Sequence, residues 1–251
     1  MFHKIINQLG PHSKKTIGIF YICTGKYAIF WEQFFISAEK HFCPGIKKQY
    51  FVFTDQEIKL KNEHVKIIHQ PRLGWPFDTL KRFHLFNNIR EEAMRCDYLY
   101  FFNANMVFLR DVMPSDIFPT EEEQIVVTRH PFYYESAIGG PFETDPKSAA
   151  YIKDTDATWY VAGGLSGGIA KHYYELGDQI IKTVDQDLAQ DHISPWWDES
   201  HLNYHIAQHK NYRVLHPGFI CPDQRKKGFP FKVYLVVLDK NNFGGHEFMR
   251  N

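Results

Sequence analysis

Cys96-Asp97-Tyr98-Leu99-Tyr100-Phe101-Phe102-Asn103-Ala104-Asn105-Met106 decides the fold of this chain. Its apolar centre, Tyr98 to Phe102, is too short for a helix and rich in aromatics. It reads as a strand buried on both faces. Two amides flanking an alanine follow at once. In open α/β sheets, ligands gather outside the carboxyl ends of strands. Asp-x-Asp there would offer two carboxylates to a divalent cation. Here both positions are amides, and two neutral amides do not hold such a cation on their own. Taken alone, the stretch fits a strand followed by an Asn-rich turn.

Outward from this strand, apolar segments alternate in length. Toward the N-terminus, a helix from Thr79 to about Cys96, capped by Asp78, turns Phe83, Phe86 and Ile89 inward. Strands are expected at Val65 to His69, Gln49 to Thr54 and Thr16 to Cys23, with a helix from Ala28 to His41 presenting Phe30, Phe34 and Ala38 on one face. Toward the C-terminus, Ile125 to Thr128 is a strand, and residues 131–158 are a polar, Pro/Gly-punctuated substrate loop. Ala170 to about Val184 and Glu199 to His209 are helices; Val214-Leu215 and Phe231 to Leu238 are late strands. Strands alternating with helices predict an α/β sandwich with a mostly parallel sheet.

Composition narrows the function. The chain has 251 residues, with 29 basic against 29 acidic, so it lacks the basic excess of a nucleic-acid-binding surface. Its apolar runs fall short of the ~20 residues a membrane span needs. No signal-peptide pattern opens it. The four cysteines are widely spaced and read as free thiols in a reducing compartment. A cytoplasmic protein of one domain is expected.

Three constellations carry chemistry. Gly163-Gly164-Leu165-Ser166-Gly167-Gly168 lets a ligand approach the backbone, or is a tight turn. Trp196-Trp197-Asp198-Glu199 offers aromatic walls for a sugar and two acids for a nucleophile or base; equally, the acids suit a helix N-terminus. His201, His205 and His209 share a helix face, as a metal site or a polar face. The tail Asp239 to Arg250 is a frayed terminus or a closure over a phosphate.

Together these stretches resemble glycosyltransferase family 6, the family of the blood-group A and B transferases and the α1,3-galactosyltransferase. Ile22-Cys23-Thr24-Gly25-Lys26-Tyr27 with Ser37-Ala38-Glu39-Lys40-His41-Phe42 is similar to its opening strand and helix. Asp97-Tyr98-Leu99 and the strand end match its Asp-x-Asp segment, Trp159 to Gly164 its donor-sugar loop, and Asp198-Glu199-Ser200-His201-Leu202-Asn203 its catalytic signature. Asn103-Ala104-Asn105 and Gly244-Gly245-His246-Glu247 resemble a bacterial, metal-independent branch.

The resemblance implies a GT-A fold of one catalytic domain: a nucleotide-binding half (16–105), a donor-sugar and acceptor half (106–238) and a flexible C-terminal closure (239–251). It implies retaining transfer of GalNAc, or less readily Gal, from UDP-GalNAc or UDP-Gal to O3 of a galactose in a glycan, with no metal cofactor. Glu199 is the implied catalytic residue. Ile22, Cys23 and Thr24 would hold uracil with Tyr27 stacked on it. Arg82 stands at the donor, Asn103 and Asn105 replace the metal aspartates, and Ala162, Gly163 and Gly164 set donor choice. Asp198 would bind the donor sugar, and Lys240 and Arg250 the diphosphate. His130, Trp196 and Glu199 would form the acceptor site. The chain departs from the family pattern at Trp197, at Phe132 after His-Pro, and at Phe142-Glu143-Thr144-Asp145. The alternative is a sugar-nucleotide or glycan-binding module that has lost catalysis.

Overall fold

A computed structural model describes residues 15–135, 139–153, 159–209 and 211–250. The organising stretch is a strand of five buried residues, as its composition demands. In chain order the strands are β1 (Thr16–Ile22), β2 (Lys47–Thr54), β3 (Val65–His69), β4 (Tyr98–Phe102), β5 (Met106–Phe108), β6 (Ile125–Arg129), β7 (Val161–Ile169), β8 (Tyr212–Leu215), β9 (Cys221–Pro222) and β10 (Leu235–Val237). The helices are α1 (Trp31–His41), α2 (Phe77–Leu80), α3 (Arg82–Asn87), α4 (Arg90–Ala93), α5 (Pro114–Ile117), α6 (Ala170–Leu188), α7 (Asp198–Gln208) and α8 (Gly245–Arg250).

Seven strands form one sheet in the order β3-β2-β1-β4-β7-β6-β8. Its pairs are parallel except where β7 lies antiparallel between β4 and β6. A second sheet, β5-β10-β9, lies apart from it. The α/β expectation with a mostly parallel sheet holds. Strand alternation explains the layers. Ile17, Ile19 and Tyr21 of β1, with Tyr98, Tyr100 and Phe102 of β4, join α1 in one core. Phe20, Leu99 and Phe101 face the other way, into α3, α6 and α7. Aromatic packing fills both layers: Tyr21 stacks on Phe34 at 4.4 Å, and Phe20 on Phe86 at 4.2 Å.

Several expectations need correction. The helix from Ala28 begins as a 3-10 turn, Gly25–Phe30, and becomes α-helical only at Trp31. The single helix expected over Thr79 to Cys96 is three short ones, α2 to α4. Asp78 does not cap it; its carboxylate accepts the Leu73 N–H at 2.7 Å. Phe83 and Phe86 are nevertheless buried as predicted. Gly163 to Gly168 is neither turn nor loop but the centre of the buried strand β7. A Cβ at Gly167 would lie 2.3 Å from the Tyr100 ring, so only glycine lets β7 run beside β4. The strand expected over Phe231 to Leu238 shrinks to Leu235–Val237. The tail forms a 3-10 turn, Lys240–Phe243, and α8. In the 131–158 loop, residues 136–138 and 154–158 lie outside the described residues.

Candidate active site

From β1 the chain moves outward to β2 and β3, then crosses back to place β4 on the other flank of β1. That reversal opens a crevice at the carboxyl ends of β1 and β4, where an α/β sheet binds ligands. A cavity of about 220 Å³ lies there, reached by Ile22 and Thr24 after β1 and by Asn103, Ala104 and Asn105 after β4.

The far wall comes from β7 and α7. Asn203 ties the two together. Its side chain accepts the Val161 N–H and donates to the carbonyls of Val161 and Glu199, at 2.8 to 2.9 Å. Trp197, just before α7, has a positive φ of 54°, and Asp198 and Glu199 begin the helix. Both acids line the cavity.

Their partners differ. The Tyr160 hydroxyl donates to Glu199 Oε1 at 2.7 Å, and the Gly163 N–H donates to Oε2 at 2.6 Å. Burial pushes the Glu199 carboxyl up to about 7, against the pull of these two donors. Asp198 forms an ion pair with Arg82 at 2.9 Å, both side chains almost fully enclosed. Burial raises the Asp198 carboxyl to about 6, with Arg82 pulling back. Arg82 also donates to the Gly163 carbonyl and lies 4.1 Å over the Phe101 ring. Asp198 Oδ1 and Arg82 Nε are buried without hydrogen-bond partners among the described residues.

Cations and aromatics make the third side. Arg250 of α8 lies 3.5 Å over the Trp75 ring and 6.0 Å from Trp197; Lys240 stands 5.1 Å over Tyr27. Burial, reinforced by Arg250, lowers the Lys240 ammonium to about 8. The tail is held by Lys26, which donates to the Phe248 carbonyl, by Arg72, which donates to that of Arg250, and by Phe243 against Phe30.

Ile22, Thr24, Tyr27, Arg82, Asn103, Asn105, Gly163, Gly164, Trp196, Asp198, Glu199, Lys240 and Arg250 thus meet in one cavity. Cys23, Ala162 and His130 stand behind or beside it. The Cys23 N–H and C=O bond Phe53 and Thr54 within the sheet. Ala162 is buried in β7. His130, kept neutral because burial lowers it to about 4, packs 5.6 Å from the ring of Tyr160. Sequence reasoning missed Arg72, Trp75, Asp78, Thr79 and Phe101 as cavity residues, and Tyr160 as the partner of Glu199. The Gly74-Trp75-Pro76 run was the available signal, a large aromatic inside a turn segment.

At the strand end, positions 103 and 105 carry amides rather than carboxylates. The Asn105 amide donates to the Leu238 carbonyl at 2.8 Å, tethering the end of β10. Among the described residues, no three His, Cys, Asp or Glu side chains gather as a metal site. His201 and His205 instead meet Thr183 of α6 at 3.0 and 3.3 Å. Burial lowers both to about 4.

Comparison with known proteins agrees with this geometry. The family model described as glycosyltransferase family 6 matches residues 2–248. The O-antigen biosynthesis glycosyltransferase WbnI of Escherichia coli is 32% identical over 234 residues, covering 92% of this chain and 98% of WbnI. The globoside alpha-1,3-N-acetylgalactosaminyltransferase 1 of Gallus gallus is 30% identical over 239 residues, 90% of this chain and 68% of that protein. The histo-blood group ABO system transferase 1 of Rattus norvegicus is 29% identical over 260 residues, 98% and 72% respectively. The mixed α/β architecture agrees with the GT-A fold of such enzymes. With a matching model across nearly its whole length, the chain belongs to glycosyltransferase family 6.

Proposed function

We propose that the chain moves GalNAc, and Gal less readily, from a UDP-sugar to O3 of a galactose in a glycan, with retention at the anomeric carbon and without a divalent metal. The observation that carries this reading is the sharing of one cavity by two carboxyls, buried Asp198 and half-buried Glu199, and the cations Arg72, Arg82, Lys240 and Arg250. When the bond from C1 to the β-phosphate oxygen breaks, positive charge develops at the sugar and negative charge on the diphosphate. Glu199 suits the first, and Lys240 and Arg250 the second. The unpartnered Asp198 Oδ1 suits a sugar hydroxyl. Trp196, 40% exposed, offers a stacking face to the acceptor galactose. The preference for GalNAc follows the resemblance of the segment from Ala162 to Gly164 to the family's donor-sugar loop. At Gly164 a Cβ would meet Asn103 Nδ2 and Ile220 at 2.8 Å, so packing alone already requires glycine there. The names of the relatives, an N-acetylgalactosaminyltransferase among them, support the same direction.

The test is transfer from UDP-GalNAc and from UDP-Gal to β-galactosides with and without a 2-O-fucose, the product linkage being read by NMR. An α-linkage at O3 and a higher kcat/KM for UDP-GalNAc are expected. A β-linked product, a preference for UDP-Gal, or donor binding without transfer would each overturn the corresponding part.

A further inference from the structure

A basic, aromatic loop beside His130 takes no part in the chemistry above. It reads Arg225-Lys226-Lys227-Gly228-Phe229-Pro230-Phe231-Lys232. Arg225, Lys226 and Lys227 are three consecutive exposed cations. The Arg225 guanidinium lies 4.3 Å over the ring of Phe132, a residue 53% exposed. Phe231 and Phe229 pack edge-on against Tyr134, at 5.1 and 6.1 Å, so the loop and the 132–134 turn form one surface.

That surface is continuous with the catalytic carboxyl. Glu199 accepts the Tyr160 hydroxyl; the Tyr160 ring meets His130 at 5.6 Å, and His130 meets Phe132 at 5.6 Å, under Arg225. The acids of these segments are Asp223, 3.4 Å from Lys226, and exposed Glu135. With Lys232 counted, these segments carry four cations and two carboxylates, and Asp239 accepts from the neighbouring Gln224 side chain. Like charges crowded on a loop repel one another until an anion joins them. A phosphate takes several such cations at once, whereas a carboxylate takes one arginine fork.

We infer that this loop is an outer acceptor subsite for a phosphate ester carried by the glycan acceptor beyond its galactose. A sugar ring rests on Phe132, and the phosphate meets Arg225, Lys226 and Lys227. The inference rests on the acceptor reading above and deepens it.

The experiment compares two acceptors, a galactose-terminated trisaccharide with a methyl aglycone and the same trisaccharide with a reducing-end methyl phosphodiester. Wild type and R225Q/K226Q/K227Q are assayed with both. In wild type the phosphorylated acceptor has a KM at least ~10-fold lower, the worth of about one charge-assisted hydrogen bond. The triple variant loses that difference while its melting temperature, donor KM and KM for the neutral acceptor stay put. Raising NaCl to 0.5 M narrows the gap in wild type. Phe132→Ala raises KM for both trisaccharides but not for methyl galactoside. Equal KM values in wild type overturn the inference alone. So does an equal loss for both acceptors in the triple variant. Stimulation of the neutral acceptor by phosphatidylglycerol vesicles, equal to that from the attached phosphate, also overturns it by making a membrane surface the occupant. Absence of transfer to every galactoside overturns the acceptor reading, and this inference with it.

Discussion

Glu199 carries two opposed demands. Burial raises its carboxyl from 4.5 to about 7, so the folded state binds its proton more tightly than the unfolded chain. The resulting destabilisation is absent below the unfolded value and grows as pH rises through the folded one, to about 3 kcal/mol. Glu199→Gln removes the charge and keeps one acceptor oxygen for the Gly163 N–H, its amide NH2 meeting Tyr160 only if the hydroxyl turns to accept. It is expected to melt several degrees higher than wild type at pH 8 and at the same temperature near pH 4.5. It is also expected to lose ~10² or more in kcat, as befits a charge removed from a developing cation. Near-wild-type turnover would take Glu199 out of the mechanism. The ionised carboxylate and the protonated Lys240, whose ammonium is lowered to about 8, are wanted together. A plot of kcat/KM against pH should therefore be a bell with limbs near 7 and 8. Lys240→Arg should remove the alkaline limb, because arginine stays charged. An unmoved limb would assign it to another group.

At the scale of elements, β7 is where glycine matters most. A Cβ at Gly167 would stand 2.3 Å from Tyr100 and 2.5 Å from the Leu99 carbonyl. Both are held in β4, so Gly167→Ala is expected to cost about 1 to 3 kcal/mol by overpacking and to lower the melting temperature by roughly 3 to 10 °C. An unchanged melting curve would mean that β4 and β7 separate freely. Glycines of this kind are illegible to local rules, because a turn and a close strand contact look alike in sequence. Tyr98 to Phe102, Thr16 to Ile22 and the α7 signature were legible, since a short apolar run or a dense motif fixes its own context. The break of the Thr79 to Cys96 helix was not, because Phe83 and Phe86 keep a helical spacing across it. The tail was half legible: its cations were visible, but not the contacts of Phe243 with Phe30 and of Arg250 with Trp75 that fold it over the cavity. Truncation before Asp239 removes Lys240 and Arg250 together and is expected to lower kcat more than Lys240→Ala does. Equal losses would mean that Arg250 contributes nothing beyond Lys240.

Across the whole molecule, one topological reversal between β1 and β4 brings distant parts of the chain to a single crevice. The first strand and the turn after it supply Ile22 and Thr24, the start of α7 supplies Asp198 and Glu199, and the last dozen residues supply Lys240 and Arg250. The strand end at Asn103 and Asn105 is where carboxylates would hold a divalent cation, and here it offers amides, one of them spent on Leu238. Under the proposed function, the charge on a departing UDP falls to Arg82, Lys240 and Arg250. Aspartates at 103 and 105 would repel the diphosphate, so restoring both is not expected to raise activity by itself. The direct measurement is the initial rate of sugar transfer in excess EDTA and again with added Mn²⁺. The rate should be the same, within about twofold, in chelator, in untreated buffer and with the metal. Transfer abolished by EDTA and restored by Mn²⁺ would contradict a site in which the protein's own cations carry the leaving group.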